Sequence, residues 1–236
     1  MSAIVHRFAD RASMVDALQQ VFVQQLQQAL AQRQQATLLL SGGSTPEPLY
    51  RQLSGIELDW ARVNIALVDE RWVDIDDSAS NERFLRQSLC VDRAAKARLL
   101  GMKNSASCVF DGVDQCNKDY AELAKPYDIC LLGMGGDGHT ASLFPGAAGL
   151  DEALQSELPC AAIQAKPSEV TGNLLHRMTL TAAQILRSER LLLMITGEAK
   201  WQVYEQASKA VVDAQHLPIS HFIQQQRLPL EVYWAP

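Results

Sequence analysis

The sequence lacks the features of membrane, secreted and nucleic-acid-binding proteins. No apolar run in the 236 residues approaches the ~18 residues that a membrane span needs. The opening segment MSAIVHRFADRAS lacks the basic stretch and apolar stretch of a secretory signal. Positive charge is scarce, because 21 Lys and Arg stand against 27 Asp and Glu, and the formal net charge is −6. A general nucleic-acid binder would normally carry a basic face. We therefore expect a cytoplasmic protein with neither a membrane nor a nucleic-acid partner.

Cysteine is sparse and follows no pattern. Its five residues are an odd number, include no CxxC pair and lie near no histidine cluster. A disulfide framework would need regular pairs, and a zinc site would need ligands at short spacing. We predict no metal centre and no catalytic cysteine, and expect small buried hydrophobic residues instead. The five are Cys90, Cys108, Cys116, Cys130 and Cys160.

What is present is an ordinary globular composition arranged as alternating strands and helices. The chain is 47% hydrophobic and 20% charged, and no repeat, linker or charge block divides it. We expect one domain over residues 1–236. Apolar residues three or four apart predict an amphipathic helix at 11–33. Continuous apolar runs predict buried strands at 36–40, 63–68, 127–132 and 191–196.

Weaker patterns complete the predicted architecture. Further strands are predicted at 98–102, 160–164, 177–180 and 230–234, and helices near 46–54, 80–90, 113–124, 181–188, 198–210 and 219–226. Buried strands separated by amphipathic helices are typical of parallel sheets covered on both faces. The predicted fold class is α/β, with a single doubly wound, mostly parallel, Rossmann-like sheet. Glycine or charged residues follow the carboxyl ends of the four main strands, where open α/β sheets bind ligands.

The segment SGGSTP (41–46) follows the first of these strands. Its glycines allow close backbone approach to an anion, and Pro46 can open a helix whose free N–H groups attract negative charge. Phosphate binding and a plain capped turn are both open on this motif alone. It is not a Walker loop, because the GK[ST] ending is missing.

The segment GMGGDGH (133–139) follows the third strand and literally satisfies GxGxxG. Pro145 and further glycines prevent the long helix that a dinucleotide site requires, so we reject a nicotinamide or flavin role. Asp137 and His139 remain in a glycine-rich loop at the ligand-binding edge. Histidine is suited to proton transfer near neutral pH, and Asp137 can orient it. The alternative is a histidine that only satisfies loop backbone.

Charged residues also lie near the other strand ends. Asp69 and Arg71 follow the second main strand, Arg177 begins a weaker strand, and Lys200 lies in the first turn of a predicted helix. A lysine at a helix start is opposed by the helix dipole, and an anion bound there would explain it. Each residue alone is usually a solvated charge, whereas together with SGGSTP they form a plausible phosphate clamp.

The motifs SGGSTP, VDERWV, SNERFL, LLGMGGDGHTASLFPG, RMTL and ITGEAKW, in this order, resemble those of 6-phosphogluconolactonases. The likeness runs from about residue 36 to 200, and the later segment PISHF also fits. The wider superfamily includes glucosamine-6-phosphate deaminases and resembles ribose-5-phosphate isomerases in fold. The resemblance implies hydrolysis of 6-phospho-D-glucono-1,5-lactone to 6-phosphogluconate in the oxidative pentose phosphate pathway, without a metal or an organic cofactor.

The resemblance also implies roles for individual residues. His139 would activate water, supported by Asp137. The phosphate would be bound by Ser41, Gly42, Gly43, Ser44, Thr45, Arg177 and Lys200. The sugar and lactone would be lined by Asp69, Arg71, Gly135 and Gly136.

One position separates the lactonases from their relatives. The deaminases carry a glutamate just before the proline of this loop, and this chain has Phe144 there. Ring opening needs more acid and base groups than ester hydrolysis, so Phe144 favours the lactonase. The open alternatives are a deaminase- or isomerase-like enzyme and a non-catalytic sugar-phosphate-binding domain. We expect a phosphorylated sugar lactone as the partner, and a monomer or weak homodimer.

Overall fold

A computed structural model describes residues 3–209 and 212–236 of the chain. The strands are β1 (Ile4–Arg7), β2 (Ala36–Leu40), β3 (Val63–Leu67), β4 (Asp69–Arg71), β5 (Arg98–Leu100), β6 (Tyr127–Leu132), β7 (Cys160–Gln164), β8 (His176–Leu180), β9 (Ser188–Thr196) and β10 (Leu230–Ala235). The helices are α1 (Arg11–Arg33), α2 (Glu47–Ser54), α3 (Asn81–Ser88), α4 (Val109–Ala121), α5 (Leu150–Gln155), α6 (Ala182–Ile185), α7 (Glu198–Ala207) and α8 (Ile219–Gln224). None of the helices in these two described ranges is long and apolar enough to cross a membrane.

The main sheet has seven strands in the order β1-β10-β9-β6-β2-β3-β5, and every neighbouring pair is parallel. β2, β3 and β6 are buried along their whole length, as their continuous apolar runs predicted. α1 packs against the sheet through side chains at helical spacing, among them Met14, Leu18, Phe22 and Leu26, which are fully buried. The predicted α/β fold with a doubly wound, mostly parallel sheet is confirmed.

A second, antiparallel sheet contains β4, β8 and β7 in that order. The sequence patterns predicted strands at the positions of β7 and β8 but gave no sign of a separate sheet. Val68 explains the division, because its N–H donates to Leu40 of β2 at 3.1 Å while its carbonyl accepts from Leu180 of β8 at 2.8 Å. The chain therefore passes from the main sheet into the small one at a single residue.

Several elements differ from the sequence prediction. β1 and α5 were not predicted, because β1 is a short, mostly exposed edge strand and α5 is a short helix behind a glycine-rich turn. α4 begins at Val109, earlier than the predicted 113. The predicted helix at 198–210 ends at Ala207, and position 210 lies outside the described residues.

Asp128 of β6 ties α1 to the sheet. Its side chain is buried, accepts the backbone N–H of Thr37 at 2.7 Å, and pairs with Arg33 in the last turn of α1. β2 and β6 are paired from Leu38 onward, so Thr37 lies just before the first pair. The Asp128 carboxylate accepts the Thr37 N–H in place of a backbone carbonyl of the neighbouring strand. The end of α1 is thereby held against the start of β2.

We expect Asp128→Ala to lower the free energy of unfolding by about 1–3 kcal/mol, because the buried Thr37 N–H loses its acceptor. Asp128→Asn keeps an acceptor oxygen and should cost less. The measurement is urea denaturation of the three proteins. As a control, Arg51→Ala removes an exposed ion pair with Glu47 and should change the free energy by less than about 0.5 kcal/mol. An Asp128→Ala protein as stable as the Arg51 variant would contradict this role.

Candidate functional site

The site lies where two neighbouring parallel strands send the chain in opposite directions. β2 and β6 are paired from Leu38 with Ile129 to Leu40 with Leu131. After β2 the chain builds outward through β3 and β5, and after β6 it builds the other way through β9 and β10. Loops that leave adjacent strands in opposite directions open a crevice at the carboxyl edge. Segments 41–46 and 133–139 are these two loops.

A cavity of ≈ 390 Å³ occupies this crevice. Nearly all of the residues that the sequence singled out line it: Ser41, Gly42, Gly43, Ser44, Thr45, Asp69, Arg71, Gly135, Gly136, His139, Arg177 and Lys200. Asp137 is absent from the lining and lies behind His139. The structure therefore brings together residues from five separate segments of the chain.

The loop after β2 delivers a helix start to the cavity. Pro46 precedes α2, and no side chain caps the first turn of that helix. Its free N–H groups and the positive end of its dipole therefore face the loop region 41–46. The Tyr50 hydroxyl donates to the carbonyl of Ser41 at 2.7 Å and fixes the loop from inside the core. This is an arrangement suited to an anion.

Gly42 is required by the close approach of Asn81. A Cβ at Gly42 would overlap the side-chain amide of Asn81. That amide donates to the backbone carbonyl of Asp69 at 2.9 Å and lies at the start of α3. Asn81 lines the cavity. It belongs to the motif SNERFL, but no role was predicted for it from the sequence.

Glu70 positions α3 rather than facing the cavity. Its buried carboxylate accepts the backbone N–H groups of Asn81 at 2.7 Å and Glu82 at 2.8 Å. Burial raises the pKa of Glu70, and these hydrogen bonds oppose the rise. The neighbouring Asp69 accepts from the Ser142 hydroxyl at 2.6 Å, which ties the strand to the loop after β6. No role was predicted for Glu70 or Ser142. The contact of Ser142 joins residues 73 positions apart, and the contacts of Glu70 span the loop between β4 and α3.

Two arginines lie side by side on the small sheet. Arg71 of β4 and Arg177 of β8 are directly paired across the strands, an unfavourable placement for like charges. Arg177 is only 4% exposed, and burial lowers its pKa to about 10, with Arg71 acting in the same direction. Each donates to a backbone carbonyl, Arg71 to Ala79 at 2.6 Å and Arg177 to Leu174 at 2.7 Å.

Lys200 adds a third cation to the cavity. It comes from the helix after β9, which is the neighbour of β6 on the side away from β2. It lies in the first turn of α7 and is partly buried. Burial lowers the pKa of Lys200, and Arg11 acts in the same direction. An anion bound in the cavity would offset the repulsion between Arg71 and Arg177 and the desolvation of Arg177 and Lys200. The cavity is thus electropositive although the chain is acidic overall.

His139 lines the cavity and is fixed by Asp137. The imidazole Nδ1 is 2.5 Å from Oδ1 of Asp137, and that same oxygen accepts the backbone N–H of His139 at 3.2 Å. Burial disfavours the charged carboxylate, but the hydrogen bonds from His139 outweigh it and lower the pKa of Asp137. An Asp137 carboxylate holds the proton on Nδ1 and leaves the Nε2 lone pair free.

The loop around His139 has little spare room. A Cβ at Gly135 would overlap the His139 ring, and the Gly135 N–H donates to the His139 carbonyl at 3.0 Å. Phe144 stacks on the same ring, with centroids 4.4 Å apart. In residues 3–209 and 212–236 no three His, Cys, Asp or Glu side chains are grouped as metal ligands.

Comparison with known proteins gives consistent matches over the whole chain. The family model described as "Glucosamine-6-phosphate isomerases/6-phosphogluconolactonase" matches residues 9–234. A 6-phosphogluconolactonase of Rhizobium meliloti is 38% identical over 236 residues, which cover 100% of both proteins. One of Pseudomonas aeruginosa is 36% identical over 211 residues, which cover 89% of this chain and 86% of that protein.

Comparison with solved structures also gives matches over nearly the whole chain. The crystal structure of a 6-phosphogluconolactonase from Shewanella baltica superposes with a TM-score of 0.94 and 37% identity, covering 100% of this chain and 98% of that one. A monomeric glucosamine-6-phosphate deaminase superposes with a TM-score of 0.79 at 17% identity, covering 98% and 97%, and shares the fold.

We expect Gly42→Ala to lower the free energy of unfolding by about 1–3 kcal/mol, since the new methyl group displaces Asn81 from its contact with Asp69. Denaturant unfolding measures the change. Gly136→Ala is the matched control, because a Cβ there meets nothing within 4 Å, and it should stay within about 0.5 kcal/mol of the parent. Equal stability of the two variants would refute the close-approach argument.

Proposed function

The chain belongs to the family of glucosamine-6-phosphate isomerases and 6-phosphogluconolactonases, and we propose that it hydrolyses 6-phospho-D-glucono-1,5-lactone to 6-phospho-D-gluconate. This is the lactone-opening step of the oxidative pentose phosphate pathway. One observation carries the proposal: His139, held by Asp137, lines the same cavity as Arg71, Arg177 and Lys200. The cavity therefore offers a base at one end and an anion site at the other. The full-length relatives that are named 6-phosphogluconolactonases support the same activity.

The phosphate binds first, at the cationic end. A phosphate of this kind carries ~1.5–2 negative charges at neutral pH. Arg177, Lys200 and the backbone N–H groups of residues 42–45 receive it, and the hydroxyls of Ser44 and Thr45 add donors. The charge of the phosphate offsets the repulsion between Arg71 and Arg177. Fixing this end places the lactone carbonyl before the chemistry begins.

His139 then acts as the general base. Its Nε2 removes a proton from a water molecule as the water oxygen attacks C1 of the lactone, and the carbonyl electrons move onto oxygen. Arg71 and the backbone N–H of Gly136 face the developing oxyanion, while the Gly135 N–H stays bonded to the His139 carbonyl and fixes the loop. The carbonyl re-forms as the C1–ring oxygen bond breaks, and the imidazolium returns its proton to the leaving oxygen. Asp137 stays ionised throughout and stabilises the imidazolium.

The remaining residues orient the sugar. Asp69 is buried at the cavity wall, with its carboxylate held by Ser142 and Asn81, and it accepts a hydrogen bond from a sugar hydroxyl. The reaction uses only water and these side chains, since a lactone carbonyl is already activated. The chain serves this activity as one domain, and a family model that spans 9–234 supports that assignment.

The rival on the same fold is a glucosamine-6-phosphate deaminase. Phe144 argues against it, because this side chain offers no proton to assist ring opening. Purified protein should accelerate lactone hydrolysis above the spontaneous rate, measured at fixed pH, and release no ammonia from glucosamine 6-phosphate. Ammonia release without faster lactone hydrolysis would overturn the proposal.

Replacement of His139 by Ala should lower kcat by ~10²–10⁴ with little change in KM, because the base acts in the transition state. The measurement is the lactone assay after subtraction of spontaneous hydrolysis. His216→Ala changes an exposed histidine outside the cavity and serves as the control. Turnover by the His139 variant at the rate of the His216 variant would remove His139 from the mechanism.

Arg177→Ala and Lys200→Ala should each raise KM by about 10-fold to 100-fold, in keeping with ~1.5–3 kcal/mol for a hydrogen bond to a charged group. They should also weaken inhibition by inorganic phosphate. Arg62→Ala, at an exposed arginine paired with Asp59, is the control and should leave KM unchanged. If KM is unaltered in both cavity variants, the phosphate does not bind at this end.

A further inference from the structure

Phe144 touches both functional ends of the cavity. Its ring stacks on the His139 imidazole with centroids 4.4 Å apart and planes inclined by 29°. The guanidinium carbon of Arg177 lies over the same ring, 5.4 Å from its centroid. Phe144 lines the cavity and is only 4% exposed. One aromatic ring therefore contacts the proposed base and the proposed phosphate anchor.

Hydrogen bonds alone leave the His139 ring under-determined. Among the residues that the structure describes, the ring has one hydrogen-bond partner, Oδ1 of Asp137 at Nδ1. A single bond at one ring atom restrains the direction of the ring but allows its plane to tilt. A stacked aromatic ring resists that tilt, because tilting the imidazole would reduce the contact area between the two rings. The direction of Nε2 into the cavity then depends on Phe144.

The backbone that carries Phe144 is itself anchored. Two residues earlier, the Ser142 hydroxyl donates to Asp69 at 2.6 Å, and the Ser142 N–H donates to the Thr179 hydroxyl at 3.3 Å. Leu143, between them, is fully buried. Asp69 and Thr179 are themselves paired across β4 and β8, two residues from Arg71 and Arg177 on the same strands. The loop that carries Phe144 is thus hydrogen-bonded to the small sheet, which also carries Arg71 and Arg177.

We propose that Phe144 is a positioning residue that sets the orientation of His139 and its spacing from Arg177. This inference rests on the proposed lactonase function. The ring has no group that takes or gives a proton, so it acts through its two neighbours. Its aromatic face sets the tilt of the imidazole, which governs kcat. Its contact with the guanidinium places the phosphate, which governs KM.

The kinetic test compares Phe144→Leu, which removes the ring, with Phe144→Tyr, which keeps it. We expect Phe144→Leu to lower kcat about 10-fold and to raise KM severalfold, since small misplacements of reacting groups are costly. Phe144→Tyr should retain most of the parent kcat. Phe22→Leu, the same substitution at a fully buried ring of α1 that does not line the cavity, controls for lost packing and should keep the parental kcat.

A double-mutant cycle separates positioning from general packing. If Phe144 acts through His139, Phe144→Leu should add no further loss of kcat in a His139→Ala background. The proposal is overturned if the loss is the same with and without the histidine. It is also overturned if Phe144→Leu alone turns over within twofold of the parent, or if Phe22→Leu lowers kcat equally.

An NMR measurement tests the contact between Phe144 and His139 without relying on catalysis. Stacking on Phe144 shifts the Cε1–H and Cδ2–H resonances of His139 upfield through the ring current. The shift should persist in Phe144→Tyr and vanish in Phe144→Leu, and resonances that do not move would contradict the stack. A protein that lacks lactonase activity but shows these shifts would refute the proposed function and leave the contact itself established.

Discussion

The parallel pairing of β2 with β6 is the constraint on which the site depends. It brings the ends of two strands, distant in sequence, to one edge, and the Ser41 N–H donates to the carbonyl of Leu131 across them at 3.2 Å. The chain turns away in opposite directions after these strands, so no crossover segment fills the space between their loops. Two mostly apolar strands thus lead to a polar crevice, because the polar segments 41–46 and 133–139 begin where these strands end.

The small sheet supplies what the main sheet lacks, which is concentrated positive charge. Val68 divides its hydrogen bonds between Leu40 and Leu180, so Arg71 and Arg177 reach the crevice on one rigid ribbon. Holding two arginines opposite each other opposes folding, and burial of Arg177 adds to that cost. On the proposed mechanism, the phosphate dianion of the substrate offsets both of these unfavourable contributions. The net charge of −6 therefore describes the surface of the protein and says nothing about the cavity.

The sequence patterns predicted the parts of the fold that depend on local periodicity. The continuous apolar runs at 36–40 and 127–132 became β2 and β6, and the spacing in 11–33 became α1. The polar segments after them converge at one edge because all parallel strands end there. The small sheet was missed, since antiparallel pairing of β4 with β8 joins residues about a hundred positions apart and leaves no local period. Asn81 and Ser142 were missed for the same reason, because their partners are brought near only by folding.

The surroundings of His139 match the limited demands of ester hydrolysis. On the proposed mechanism one group must accept a proton and return it, and the two contacts of the imidazole serve this need without competing for Nε2. Asp137 takes Nδ1 and supplies a negative charge beside the imidazolium, while Phe144 offers a face that neither gives nor takes a proton. A carboxylate in place of that ring would add a titrating group to the pair of His139 and Asp137 and couple its protonation to theirs. An aromatic ring adds no such group, and on the proposed mechanism the pair of His139 and Asp137 is sufficient for a substrate whose carbonyl is already activated.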